Sequence, residues 1–330
     1  MSHEFAKDRY DSMQYRRCGN SGLKLPAISL GAWETYGGSN DGDVAKQCMF
    51  RAFDLGITHF DLANNYGTPA GNAEVVCGRV LKDMPRDELI IASKAGYRMW
   101  PGPYGEWGSR KYLIASCDQS LKRTGLEYFD IFYSHRPDPN TPIEETMGAL
   151  DTLVKQGKAL YVGVSSYTGA ELEAAHEAVA RERFAPITIH QPYYNMLGRS
   201  IEADLLPHTD RLGVGVIAFC PLASGLLSGS KYLDGNVPAD SRPAREWASS
   251  WVASKSKDEK KRILNELNGL ARERGQTLAQ MAVAWILRHQ GMVSTVMGAS
   301  RVEQVEQNVV ALSKLSFSAQ ELARIDTLTQ

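Results

Sequence analysis

Long apolar runs are missing from this chain of 330 residues. None approaches the roughly 20 consecutive apolar residues of a membrane-spanning helix, so no insertion into a bilayer is expected. Cysteine is scarce: Cys18, Cys48, Cys77, Cys117 and Cys220 are scattered, odd in number and form no CxxC pair. That argues against a disulfide framework or a cysteine-rich zinc site, and for a reducing cytoplasm. An excess of either charge is also missing. With 37 Lys and Arg against 38 Asp and Glu, the net charge of -1 offers no electrostatic case for nucleic acid or an anionic membrane. The opening MSHEFAKDRYDSMQYRR lacks the apolar core of a signal peptide. The first strand-like run continues as LGAWETYGG, without the glycine fingerprint of an open dinucleotide-binding sheet. No low-complexity tract is present, and no repeat beyond strand and helix alternation.

What is present is an ordinary globular composition, 43% hydrophobic and 23% charged. The segment MQYRRCGNSGLKLPAISL reads as a hairpin turning at Gly19 to Gly22. Eight apolar runs follow: PAISLGA, THFDLA, LIIASKA, FDIFYSH, ALYVGVSS, ITIHQPYY, VGVIAFCP and VSTVMGAS. Amphipathic spacing between them predicts helices, among them Asp43 to Leu55, Arg110 to Thr124, Pro142 to Gln156 and Lys257 to Glu273. Before the third of these, Thr141 is expected as cap, Pro142 in the first turn, and Glu144 and Glu145 as first-turn acids. Near-continuous apolar strands imply burial on both faces. Eight such units fit a (β/α)8 TIM barrel, an α/β fold, in one domain over residues 1–330, with an N-terminal β-hairpin. An open doubly wound sheet is the alternative. Leu222 to about Ser256 is expected as a long loop after the seventh strand, a clasp over a ligand or a disordered stretch.

Barrel enzymes carry their chemistry at the carboxyl ends of the strands. Asp61 ends one apolar run, Tyr66 follows it, Lys94 lies near the end of the next, and His135 closes the one after. An acid, a phenol, an amine and an imidazole together can pass one proton to a carbonyl oxygen. A buried lysine needs a partner, and Asp61 is the adjacent candidate. A purely structural ion pair is the competing reading. The ammonium is expected to lower the Tyr66 phenol below its ordinary value near 10 and make it a usable acid. Taken singly, Tyr66 also reads as a rim-packing residue and His135 as a satisfied polar one. The combination carries the inference.

None of these groups supplies a hydride, so carbonyl reduction implies a nicotinamide cofactor. Ser165, Ser166 and Gln191 end the fifth and sixth strands and Phe219 the seventh, offering hydrogen bonds and a flat ring. The run GASRVEQVEQN opens a helix past the eighth strand, a natural phosphate site. Lys231 and Arg242 are placed to close over a diphosphate, or else form a solvated basic face.

Together these residues resemble the aldo-keto reductase superfamily along nearly the whole chain, from LGAW to GASRVEQ. FDLANNYG, IIASKAGY, LEYFDIFYSHRPDPNTPIEET and GKALYVGVSSY carry the likeness. WPGPYGEWGSRKYL points to the branch of bacterial L-glyceraldehyde 3-phosphate reductases, which also holds the β subunits of voltage-gated potassium channels. The resemblance implies a barrel binding NADPH (NADP+) in extended form, with Tyr66 as general acid, Lys94 and Asp61 tuning it, and His135 orienting the carbonyl. It implies Trp33, Asp61, Ser165, Ser166 and Gln191 around the nicotinamide half, with Phe219 stacking on the ring. Cys220, Pro221, Leu222, Ser224, Lys231 and Arg242 would line the diphosphate path. Gly298, Ser300, Gln304 and Asn308 would reach the adenosine end, where Arg242, Ser300 and Gln304 favour a 2′-phosphate. Gln307 stands where relatives usually carry a glutamate on the adenine, and Phe219 where they often carry Tyr or Trp.

The expected substrate is a small aldehyde such as L-glyceraldehyde 3-phosphate or methylglyoxal, handled by a cytoplasmic homo-oligomer, tetramer or octamer. Trp33, Tyr66, Trp100 and His135 are the expected substrate contacts, with Tyr104 as a further aromatic wall. Arg110 is expected either to meet a substrate phosphate or to serve its own helix. One alternative is a cofactor-loaded accessory subunit with little catalysis. Relatives of that kind tend to carry asparagine at the position of His135, and their channel-plugging N-terminal peptide is longer than the extension here. The other is a metal-dependent hydrolase using Asp61, His135 and His190. Its usual His-x-His on the first strand is replaced by ISLGAW, and no metal is expected.

Overall fold

The structure, a computed structural model, describes residues 3–38 and 42–330, with the backbone alone at Ser230. Two short antiparallel strands, β1 (Tyr15–Arg17) and β2 (Lys24–Pro26), make the expected hairpin. Eight parallel strands follow: β3 (Ile28–Gly31), β4 (His59–Asp61), β5 (Ile90–Ala95), β6 (Phe129–Ser134), β7 (Ala159–Ser165), β8 (Ile187–Gln191), β9 (Gly215–Ala218) and β10 (Met292–Met297). Each pairs with the next in sequence, and β10 closes on β3. The ring is a (β/α)8 barrel and excludes the open sheet, whose edges would stay unpaired.

The barrel interior is packed. Alternation along the strands turns Ala92, Ile131, Tyr133, Ile189, Ile217 and Val293 inward, where they form one cluster with Cys18, Leu23 and Leu25 of the hairpin. The hairpin thus plugs the end at which the strands begin. Gly19 adopts a left-handed φ of 52°, and a Cβ there would lie 2.0 Å from the Gly213 carbonyl oxygen. Only glycine lets this turn approach so closely. The second helical layer covers the outer, apolar strand faces. Helices Arg110–Thr124 and Lys257–Glu273 keep the bounds their sequences predict, and Gly42–Asp54 and Ile143–Lys155 lie within a residue of theirs.

One local expectation is corrected. Thr141 does not cap Ile143–Lys155; its hydroxyl donates to Asp138 at 2.6 Å, and Pro142 takes the cap position. The long segment after β9, expected to be more than a plain connector, contains local structure. It folds through single turns at Ala223–Gly225 and Ser230–Tyr232 and short helices at Arg242–Arg245 and Ser249–Ser254. Among the described residues, no helix is long and apolar enough to cross a membrane. All five cysteines are free, four of them buried.

Candidate active site

Three neighbouring strands bring the predicted polar set together. β4 ends on Asp61, β5 carries Lys94 inward, and His135 directly follows β6. Lys94 is wholly buried, and its Nζ has three acceptors: Asp61 Oδ2 at 2.6 Å, the Leu62 carbonyl at 2.9 Å and the Tyr66 hydroxyl at 3.3 Å. Three acceptors match the three protons of an ammonium, which is what keeps a buried charge tolerable. The ion pair and the reach to Tyr66 are therefore one arrangement. Gln191 of β8 donates to the other Asp61 oxygen at 3.0 Å, fixing the carboxylate from across the barrel.

Electrostatics overturn one expectation. Burial pushes the Tyr66 phenol well above its ordinary value of 10, and the Asp61 carboxylate adds to the rise. The predicted downward pull of Lys94 does not win, because desolvation of the phenolate dominates and Asp61 largely neutralises the ammonium. Burial also draws Lys94 below 10.5, against the opposing pull of Asp61. His135 is held well below 6.5 by burial and by the cations Lys94 and Arg136, so its ring is neutral. Its Nδ1 is shut away without a partner, which leaves Nε2 as the nitrogen available to a ligand. The Tyr66 and His135 rings stand 5.8 Å apart at 71°.

These groups face a cavity of about 510 Å3 at the carboxyl ends of the strands. Its lining includes Trp33, Asp61, Tyr66 and His135, with Ser165, Ser166, Gln191 and Phe219 from the later strands. It continues past Cys220, Pro221, Leu222, Ser224 and Arg242 to Gly298, Ser300 and Gln304. Lys231, Asn308 and Trp100 lie outside it. The Lys231 ammonium rests over the Tyr232 ring at 5.1 Å on the surface, and Asn308 is buried in the helix Val302–Val310. Trp100 packs on Tyr112, ring centroids 5.3 Å apart. Gln307 is exposed and Tyr104 half exposed, neither on the lining. Arg110 serves its helix neighbourhood, donating to the Gly148 carbonyl at 3.1 Å and Thr152 at 3.3 Å.

Sequence reading missed several wall residues, notably Tyr97, Trp247, Glu34 and Asn65. Tyr97 is three residues past Lys94, a spacing that hints at the mouth of the barrel. Trp247 gave a weaker signal, an isolated aromatic in a polar segment. It stacks on Tyr193 at 5.7 Å and meets Phe219 edge-on at 4.9 Å. The wall is also strained: Glu34, Ser166, Cys220 and Ser224 all have left-handed φ between 54° and 62°. Such conformations cost energy in non-glycine residues and concentrate at ligand sites. His190, a candidate metal ligand, bonds the Tyr167 carbonyl at 3.0 Å, away from the cavity. Among the described residues, no group of three or more His, Cys, Asp or Glu side chains is disposed to hold a metal.

With the barrel and its polar mouth in place, comparison with known sequences is decisive: residues 27–330 match the Aldo/keto reductase family. The chain belongs to that family. It is 54% identical over 328 residues to the L-glyceraldehyde 3-phosphate reductase of Escherichia coli K12, covering 97% of this chain and 93% of the relative. It is 37% identical over 328 residues to a putative voltage-gated potassium channel subunit beta of Schizosaccharomyces pombe, covering 96% and 93%. A probable channel subunit beta of Arabidopsis thaliana is 36% identical over 305 residues, 91% of each chain. As an aldo/keto reductase the chain is an oxidoreductase.

Proposed function

We propose that this aldo/keto reductase is an NADPH-dependent reductase of small aldehydes, with Tyr66 as proton donor. The carrying observation is the Tyr66 hydroxyl, 3.3 Å from the Lys94 ammonium and facing the cavity beside a neutral imidazole. When bound, NADPH supplies the hydride. The residues present fit such a cofactor. Buried Ser165 and Gln191 lie at the barrel end, Phe219 offers a flat ring, and Arg242 offers a cation further along the strained wall.

In this reading Trp33, Asp61, Ser165, Ser166 and Gln191 hold the nicotinamide half, with Phe219 against the ring. Cys220, Pro221, Leu222, Ser224 and Arg242 follow the diphosphate, and Gly298, Ser300 and Gln304 the adenosine end. Lys231 and Asn308 leave the set because they lie off the lining. Arg242 pairs with Glu246 at 2.9 Å, and Ser300 donates to Gln304 through its backbone N–H at 2.8 Å. Arg242, Ser300 and Gln304 give the preference for a 2′-phosphate. Tyr66 delivers its proton to the carbonyl oxygen while His135 Nε2 orients that oxygen.

L-glyceraldehyde 3-phosphate and methylglyoxal are the proposed substrates, the first supported by the name of the 54% identical relative. We take the enzyme to work in the cytoplasm as a single-domain subunit of a homo-oligomer, tetramer or octamer. The accessory-subunit reading draws on the channel-subunit relatives, and the intact tetrad argues against it. Loss of NADPH absorbance on adding L-glyceraldehyde 3-phosphate, methylglyoxal or 4-nitrobenzaldehyde, with NADH alongside, tests the proposal. Turnover preferring NADPH is expected. Tight NADPH binding with no turnover would overturn it in favour of the accessory subunit.

A further inference from the structure

We propose that Tyr97 is a positioning residue: clamped in the cavity wall between Arg136 and His135, its ring holds the imidazole in the orientation that meets the carbonyl. The proposal rests on the reductase reading for its kinetic consequence, though not for the clamp itself.

His135 needs such a support. Its Nδ1 has no hydrogen-bond partner, so no bond of the usual kind fixes the ring. Packing must do it instead. Tyr97 meets the imidazole nearly perpendicularly, with centroids 4.7 Å apart at 88°. The Arg136 guanidinium lies 4.4 Å from the Tyr97 centroid and 3.6 Å from that of Trp107. Arg136 is itself pinned, donating to the Gly96 carbonyl at 3.0 Å and to Glu106 at 2.9 Å. The backbone of Tyr97 is held from the other side. Its carbonyl accepts from the Tyr112 hydroxyl, which accepts from Asn64 at 3.0 Å in the loop between Asp61 and Tyr66.

This gives WPGPYGEWGSRKYL a task other than the aromatic substrate wall expected of it. Trp100 braces Tyr112, while Glu106 and Trp107 hold Arg136. The segment supports the imidazole from behind. Displacing a positioned group by about 1 Å is enough to cost a large factor in rate.

The test compares the wild type with Tyr97→Leu, Tyr97→Phe and Arg136→Met. Tyr97→Leu should lower kcat for 4-nitrobenzaldehyde at least about tenfold with the KM for NADPH unmoved, and Tyr97→Phe should recover most of that loss. Arg136→Met, which frees the ring without truncating it, should fall between. Nitrogen-correlated NMR of the imidazoles gives a second readout that needs no turnover, with His135→Asn assigning the signal. The His135 signals should keep their place in Tyr97→Phe and move in Tyr97→Leu. Unchanged signals or an unchanged kcat in Tyr97→Leu overturn the proposal. A wild type that turns over no aldehyde, yet whose His135 signals depend on Tyr97, sinks the reductase reading and leaves the clamp standing.

Discussion

At the scale of residues, the proton inventory decides what the site can do. Lys94 has its three protons committed, His135 is neutral, and Tyr66 keeps its proton because burial and Asp61 both oppose the phenolate. Tyr66→Phe removes the hydroxyl that accepts from the ammonium; turnover should fall by at least about 10²-fold, with NADPH affinity measured by fluorescence titration nearly intact. The sign of the phenol shift gives a second expectation. With Tyr66 as the proposed donor, reduction would need the protonated phenol, and a raised pKa extends that form upward in pH. The basic limb of kcat/KM should therefore lie above pH 10, the ordinary tyrosine value. A limb near pH 8 would restore the ammonium-dominated picture read from sequence. Residue types alone suggested that picture, because they show which charges are present but not how much water is removed.

At the scale of elements, strand register places the site. Lys94, Tyr133 and Gly163 lie side by side on β5, β6 and β7. A Cβ on Gly163 would come within 2.4 Å of the Tyr133 ring, over which the Lys94 ammonium stands at 5.7 Å. Gly163→Ala should destabilise the protein by about 1–3 kcal/mol in urea unfolding. A Tyr133 ring displaced toward the Lys94 ammonium should also lower kcat. Apolar runs made the strands legible, and with them Asp61, Lys94, His135, Ser165 and Gln191 at their ends. Loops were less legible. Trp100 and Lys231 were expected at the cavity, yet one packs on Tyr112 and the other on Tyr232, because a loop's path depends on what it packs against.

At the scale of the whole molecule, the candidate site and the hairpin seal sit at opposite ends of the barrel. The tetrad occupies the carboxyl ends, while Cys18, Leu23 and Leu25 seal the amino ends. Leu25 is fully buried, so Leu25→Ala should cost about 2–5 kcal/mol of stability. At a temperature where the variant remains folded, kcat/KM should be unchanged. A matching loss of activity would show that the two ends are coupled.

The linear chain by itself determined the eightfold alternation, the hairpin and the four polar residues at consecutive strand ends. Hydrophobic periodicity is a local property, and a barrel follows from repeating it. Only the tertiary structure decided the direction of the Tyr66 shift, the burial of His135 Nδ1 and the stack of Trp107, Arg136 and Tyr97 behind the imidazole. Each depends on desolvation or on contact between segments far apart along the chain, and neither is written in the order of residues.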